Sequence, residues 1–323
     1  MKLLIIDENK TYDVTALATD SITLTTQRRG SPAKLEFKIA RDIVIHGEGV
    51  SFFEGNNVQF FVDNVGLFFG YVFKKSRSKD QIISVTAYDQ TRYLTNKKSY
   101  KYEEISASGV IQMIANDFSL VTGEIEDTGY PLPARIEDTQ PLWDIILNAL
   151  DLTTIYTKKL FVFYDDFGSL TLKSIEKMLL PLILVSDSTT LIDFNFQSDI
   201  DTDTYNEVKL YRDVEKKREA YVAKDSLNQL KWGRLQYCEQ VSEHYSETKV
   251  IELTELLLAQ KNRVHKTLSV EDIGDIRVRA GCSLQVKIKD VGQEVDGILV
   301  VNSCTHTFRN NEHTMKLELE GLQ

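Results

Sequence analysis

The chain has 323 residues, of which 42% are hydrophobic and 27% charged, and its formal net charge is −10. Such a composition suits a globular protein of two to three domains, each able to bury its own core, and excludes the disordered class. The acidic balance disfavours a surface built to grip nucleic acid, and three widely spaced cysteines, Cys238, Cys282 and Cys304, imply a reducing compartment and no disulfide framework.

In chain order, MKLLIIDENK has one lysine and only four apolar residues before the acids begin, too short for the apolar core of a signal peptide. From Lys2 to about Thr95 the runs SITLTT, AKLEFKI, NNVQFFVD, GLFFGYVFKK and QIISVTAYD show β-branched or aromatic alternation and are separated by turn signals such as RRGSP and EGNN. Strands at this spacing predict a small barrel or sandwich over residues 1–95, wet on one face. Gly47 and Gly49, in HGEGVSFF, read as loop residues allowing positive φ.

The period changes over 96–190. SASGVIQMIANDFSL predicts a helix capped by Ser106, with Val110, Ile111, Ile114 and Phe118 on its apolar stripe. DTQPLWDIILNAL predicts a second, capped by Asp138 or Thr139, with Pro141 in the first turn and Leu142, Ile145, Ile146 and Ala149 facing inward. LFVFYDDFGSLTLKS then reads as a hairpin turning at Asp165 to Gly168, which makes the segment a small α+β module. The apolar run from Met178, MLLPLILVS, is far shorter than a spanning helix and contains Pro181, so no membrane insertion is expected.

β character returns over 191–323 in LIDFNF, NEVKLY and EAYVAKD. One amphipathic helix, about Ser246 to Val264 with Val250, Leu253, Leu257 and Leu258, precedes the strands CSLQVKIKD, GILVVNSCTHTF and HTMKLELEG. The reading is a second β-domain with a helical insertion at about 225–264. The fold class is therefore α+β and mostly β, and its β, α+β, β order hints at a duplicated barrel.

Candidate chemistry is sparse. CTHTFRNNEHTMKL places Cys304, His306 and Phe308 on one face of a strand and His313, Met315 and Leu317 on one face of the next. A turn at RNNE sets Phe308 opposite His313 and His306 opposite Met315, so the imidazoles are diagonal neighbours roughly 7–8 Å apart at the backbone. No CxxC, HExxH or nearby acidic ligand accompanies them, and the pattern reads as a half-buried hairpin, not a zinc site. Asp199, Asp201 and Asp203 resemble the start of a calcium loop, but Thr204 and Leu210 stand where glycine and glutamate are needed, leaving a solvated turn. Asp165 and Asp166 at a hairpin tip are ordinary turn residues. His46, His244 and His265 have no partner in a recognised arrangement, and the lysines and arginine of VEKKREAY are interleaved with acids like a solvated strand end or loop. No catalytic residue, cofactor site or metal site is assigned, which favours a structural or interaction protein.

Three passages carry a family resemblance. They are LFFGYVFKKSRSKDQIISVTAYDQTRYLTNKKSYKYEEISASGVIQMIANDF, then GEIEDTGYPLP with LWDIILNAL and FVFYDDFGSLTL, then DIDTDTYNEVKLY, YVAKDSLNQLKWGRLQY, VRAGCSLQVKI and HTFRNNEHTMKLEL. Their order and spacing resemble the baseplate hub family of contractile phage tails and phage-tail-like particles, of the XkdQ/YqbQ type and related to the late-control protein D hub class. Trp232 stands where tyrosine is expected.

The resemblance implies two tube-like β-barrels per chain flanking the α+β module. It also implies a homotrimer whose six barrels form a pseudo-hexameric ring between the tail tube protein and the central spike protein, among other baseplate components. Assembly in the bacterial cytoplasm, residence in a virion or bacteriocin-like particle and absence of enzymatic activity follow from the same resemblance. Two alternatives remain open at this point. A tail-associated peptidoglycan hydrolase would use Asp165, Asp166 or Glu124, and a carbohydrate-binding surface would use Phe52 and Phe53.

Overall fold

Alternation of apolar and polar residues turns directly into strands with one wet face. In Lys34–Ala40, Asn57–Val62 and Ile82–Tyr88 every second residue is buried, which sends Leu35, Phe37, Ile39, Val58, Phe60, Ile83 and Val85 into one core. A computed structural model of the chain describes residues 1–323 apart from 8–9, 41–43, 46–47, 78, 80–81, 186–190, 216, 242, 244, 291–292, 311 and 322–323. His46, Gly47 and His244 lie outside the described residues. Gly49 is paired in a two-residue strand and is not the loop residue expected.

The first part contributes β1 (Lys2–Asp7), β2 (Lys10–Asp13), β3 (Ile22–Gln27), β4 (Lys34–Ala40), β5 (Val44–Ile45), β6 (Glu48–Gly49), β7 (Asn57–Val62), β8 (Val65–Arg77) and β9 (Ile82–Tyr88). A 3-10 turn, Gln90–Thr95, leads to β10 (Lys97–Tyr102), α1 (Ala107–Asp117), β11 (Thr122–Ile125), β12 (Arg135–Pro141), α2 (Leu142–Thr157), β13 (Phe161–Asp165) and β14 (Leu170–Ser174). Then come β15 (Leu179–Val185), β16 (Leu191–Asp199), β17 (Glu207–Val214), β18 (Lys217–Lys224), α3 (Ser226–Trp232), β19 (Gln236–Gln240) and α4 (Glu247–Lys261). The chain closes with β20 (His265–Ile273), β21 (Ser283–Asp290), β22 (Gln293–Arg309) and β23 (Glu312–Gly321).

Ser106 caps α1 as expected, accepting from the Gly109 amide at 3.3 Å. The second cap is different: Asp138 and Thr139 sit inside β12, Pro141 is the cap position, and the Leu142 amide donates to the Asn96 carbonyl at 2.9 Å. Pairing of β12 with β10 holds 135–141 extended, so tertiary ladder bonds overrule the local capping signal. The insertion holds α3 as well as α4, because Asp225 accepts from the Leu227 and Asn228 amides and nucleates a helix too short to show a stripe.

The fold is mostly β, built on a 13-stranded sheet. One run is β2-β1-β7-β8-β9-β4-β3. The other is β15-β21-β22-β23-β20-β16. They meet on β22, whose residues 293–300 pair with β21 and whose residues 303–308 pair with β3, both on the flank opposite β23. Between the two ladders the Asn302 carbonyl accepts from the Arg28 amide at 2.8 Å. Among the described residues β2, β15 and β16 keep an outer edge unpaired, so neither run closes on itself by hydrogen bonds.

Three apolar clusters fill the molecule. One lies under the first run and includes Phe308 of β22, whose ring meets Phe60 edge-on at 5.1 Å. A second lies under the C-terminal strands, around Val270, Val286, Val301 and Leu317. The third joins α1 and α2 to Val208, Leu210, Val250, Leu253 and Leu257, so the insertion's apolar face packs with the helical module and not with the final strands. No helix among the described residues is long and apolar enough to cross a membrane.

Because Phe308 fills the first cluster from a strand of the second, Phe308→Ala is expected to cost about 3–5 kcal/mol. The loss should appear as a lowered urea midpoint, with proteolysis separating residues 1–95 from the rest earlier than in the wild type.

Candidate functional site

The histidine hairpin forms because β22 and β23 alternate in register with each other. Phe308 lies opposite His313 and His306 opposite Met315, the pairing read from the sequence. Cys304, His306 and Phe308 are buried. The rings close the backbone gap: His306 Nδ1 lies 2.9 Å from His313 Nε2, and His306 Nε2 lies 2.7 Å from the Val278 carbonyl oxygen. A carbonyl only accepts, so Nε2 of His306 carries its proton and Nδ1 accepts from the Nε2–H of His313. This order leaves His306 no room for a second proton. Burial holds both imidazoles below the usual histidine range, His313 at about 4, and His306 adds to the effect on His313. His313 also stacks on Phe308 at 4.1 Å, and burial pushes the Cys304 thiol up.

What the hairpin grips is the strap Gly274–Cys282 between β20 and β21. The Gly274 amide donates to the His313 carbonyl at 2.8 Å, the Ala280 amide to Thr26 Oγ1 at 3.0 Å, and the Gly281 amide to the Val301 carbonyl at 2.7 Å. Arg279 lies 3.8 Å over the Tyr164 ring and donates to the Asp165 carbonyl at 3.1 Å. A side chain at position 274 would meet the His313 ring at 2.2 Å. Nine residues therefore touch the first run, the C-terminal strands and the β13–β14 hairpin together. Among the described residues no three His, Cys, Asp or Glu side chains are placed to share a metal ion.

The suspected acids lie apart in character. Asp165 is buried and accepts from Gln90 Nε2 and the Gly168 amide, both at 2.7 Å. Asp166 is exposed at the hairpin tip, and Glu124 on β11 is exposed beside Lys173 at 3.4 Å. Asp89, which the sequence reading passed over, is buried and accepts from the Thr91 amide at 3.0 Å and the Ala33 amide at 3.1 Å. Its signal was AYDQT, an acid closing a strand before a turn. Burial, then the Asp165 carboxyl, pushes Asp89 up to about 7. A raised acid favours the folded state at low pH, so that contribution is complete below about pH 3.9 and shrinks as pH climbs to about 7.

The remaining candidates are dispersed. Asp199 Oδ1 accepts from the Asp201 and Thr202 amides, and Asp203 pairs with Lys261 at 2.6 Å, which is the solvated turn expected. His265 lies 3.8 Å from Glu320. Phe52 is buried and Phe53 exposed, with the Lys75 ammonium 4.9 and 5.2 Å from their rings. The VEKKREAY charges pair across the β17–β18 hairpin, Arg218 with Asp213 and Arg212 with Glu219. A cleft of about 830 Å³ opens between α2, α4 and β19, and its walls hold Arg29 in two bonds to Asp151 and Lys261 on Asp203. Such satisfied pairs hold a junction together.

Known proteins give this geometry a context. A family model described as YQBQ-like matches residues 22–320. The chain is 30% identical over 306 residues to the uncharacterized protein YqbQ of Bacillus subtilis (strain 168), covering 94% of this chain and 92% of that one. It is 28% identical over 308 residues to the phage-like element PBSX protein XkdQ of the same organism, again covering 94% and 92%. Among solved structures it resembles the 43 kDa tail protein of prophage MuSo2 from Shewanella oneidensis, with TM-score 0.73, 11% identity and coverage of 100% and 99%. It also resembles the E. coli c3393 protein, a type VI secretion component similar to T4 tail proteins gp27 and gp5, with TM-score 0.56, 9% identity and coverage of 99% and 76%.

Since both imidazoles are held neutral, the stability they confer is complete above the unfolded value of about 6.5 and is lost as pH falls from there towards 4. Melting temperatures measured across that window should fall for the wild type and fall less steeply for His313→Gln. Gly274→Ala, which drives a methyl into the ring, should lose about 1–3 kcal/mol at neutral pH.

Proposed function

The chain belongs to the YQBQ-like family, and on that premise we propose that it is a structural baseplate hub protein of a contractile tail. Three copies form a pseudo-hexameric ring that joins the tail tube to the central spike. The observation that carries this reading is the full-length likeness in fold to a prophage tail protein. Two β runs of seven and six strands hinged on β22 support it further. Each run is taken as one tube-like unit, so that three chains supply six. The free outer strands β2, β15 and β16 are the places where such units gain neighbours, since an unpaired edge is a standing template for another strand. A net charge of −10 suits a passage that must not retain anionic cargo.

The working division is 1–95 and 191–323 as the two tube-like units and 96–190 as the module between them, with the insertion's core shared with that module. The protein then works as a component of a virion or phage-tail-like particle, assembled in the bacterial cytoplasm. Tail tube, spike and further baseplate proteins are its partners.

Negative-stain microscopy of the chain mixed with the tube and spike proteins encoded beside it should show rings with threefold symmetry at tube ends. A peptidoglycan zymogram should show no clearing. Clearing that disappears with Asp165→Asn, Asp166→Asn or Glu124→Gln would replace the structural reading by the hydrolase one.

A further inference from the structure

The part of the chain least explained by its own folding is the arm formed by β18 and α3. None of the residues of α3 is buried, and Leu227 and Leu230, one turn apart, are 72% and 85% exposed. Val222 of β18 adds a third apolar side chain at 53%. The core beneath is complete without them: α4 covers β17 through Val250, Leu253 and Leu257 over Val208 and Leu210. The helix is nonetheless held in place, since Asp225 caps it and in turn accepts from Asn262 Nδ2 at 2.8 Å. A fixed helix presenting two leucines to water marks a contact surface.

The same arm is cationic in an acidic chain. Residues 217–234 contain five basic and two acidic side chains, a net of +3 against −10 for the whole. Arg218 and Arg234 are consumed by Asp213 and Glu207, but Lys217, Lys224 and Lys231 have no ion-pair partner among the described residues. β18 is also the outer strand of its sheet, with one flank of backbone groups unpaired.

The edge of opposite character is β16. It is an outer strand of the large sheet, Ile192 on it is 55% exposed, and residues 191–204 carry four aspartates and no cation. Its nine residues match the eight of β18.

We propose that the β18–α3 arm of one chain docks on the acidic β16 edge of a second copy, with Leu227 and Leu230 covering its exposed Ile192. The contact is heterologous, a different surface on each partner, as a closed ring requires. Strand addition supplies backbone hydrogen bonds, and the lysines and aspartates set register and sign. This inference deepens the ring reading above and rests on it.

The test uses the full chain, mixed as equal parts nitrogen-15-labelled and unlabelled protein and treated with a carbodiimide that joins lysine to carboxylate without a spacer. Mixed-label peptides should join Lys217, Lys224 or Lys231 to Asp193, Asp199 or Asp201. In sedimentation velocity, self-association should weaken by about tenfold or more as salt rises from roughly 0.05 to 0.5 M. Leu227→Asp with Leu230→Asp, or Lys224→Glu with Lys231→Glu, should abolish it without moving the melting temperature. Association unchanged in both double variants, cross-links confined to one label, or a wild type monomeric at every salt and concentration overturns the proposal. The hub reading fails separately, by absence of rings at tube ends or by peptidoglycan clearing.

Discussion

One strand decides the architecture. β22 spends its first half on β21 and its second half on β3, on one flank, while β23 lines the other. Two meandering runs that would each be an independent sheet are thereby fused through backbone hydrogen bonds, which are directional and cannot be left unmade in a buried seam without a cost of about 1–3 kcal/mol each. Because side chains alternate along a strand, the seam also forces Cys304, His306 and Phe308 inward at the point where the two apolar cores meet. Everything polar at that point must find a partner.

The strap Gly274–Cys282 supplies those partners. It satisfies His306 through Val278, Thr26 through Ala280 and His313 through Gly274, and it reaches the hairpin tip of the helical module through Arg279. Two imidazoles, a thiol and a buried aspartate's backbone meet there in bonds that tie three packing units together. An imidazole with one nitrogen donating to a carbonyl and the other accepting from a second ring has no lone pair left for a metal or a substrate proton. Asp89 and Asp165 are likewise spent on amide donors of neighbouring turns.

What remains unspent lies at the periphery. The outer flanks of β2, β15, β16 and β18, the leucines of α3 and the lysines beside them contribute little to the stability of one chain. Most of the polar groups named at the seam are engaged within the chain, whereas these edges are open.

The strands, their faces and much of the hairpin can be read from residue order alone. Alternation reports which side of a strand is apolar, so the facing of Leu35, Phe37 and Ile39, and the pairing of Phe308 with His313, were legible in advance. The Ser106 cap was legible for the same reason, since it depends on residues within one turn. Long-range packing set the rest. Asp138 and Thr139 lost the capping role to a β10–β12 ladder formed between segments some forty positions apart. Asp89 and Asp165 became a buried pair although they stand 76 positions apart. His306 and His313 were legible as diagonal neighbours, but the bond between their rings and the second partner, Val278, from a loop with no periodicity to announce it, were not. Local patterns encode what short-range sterics and face polarity fix; contacts across long loops depend on how whole sheets pack, and no window of the sequence carries that information.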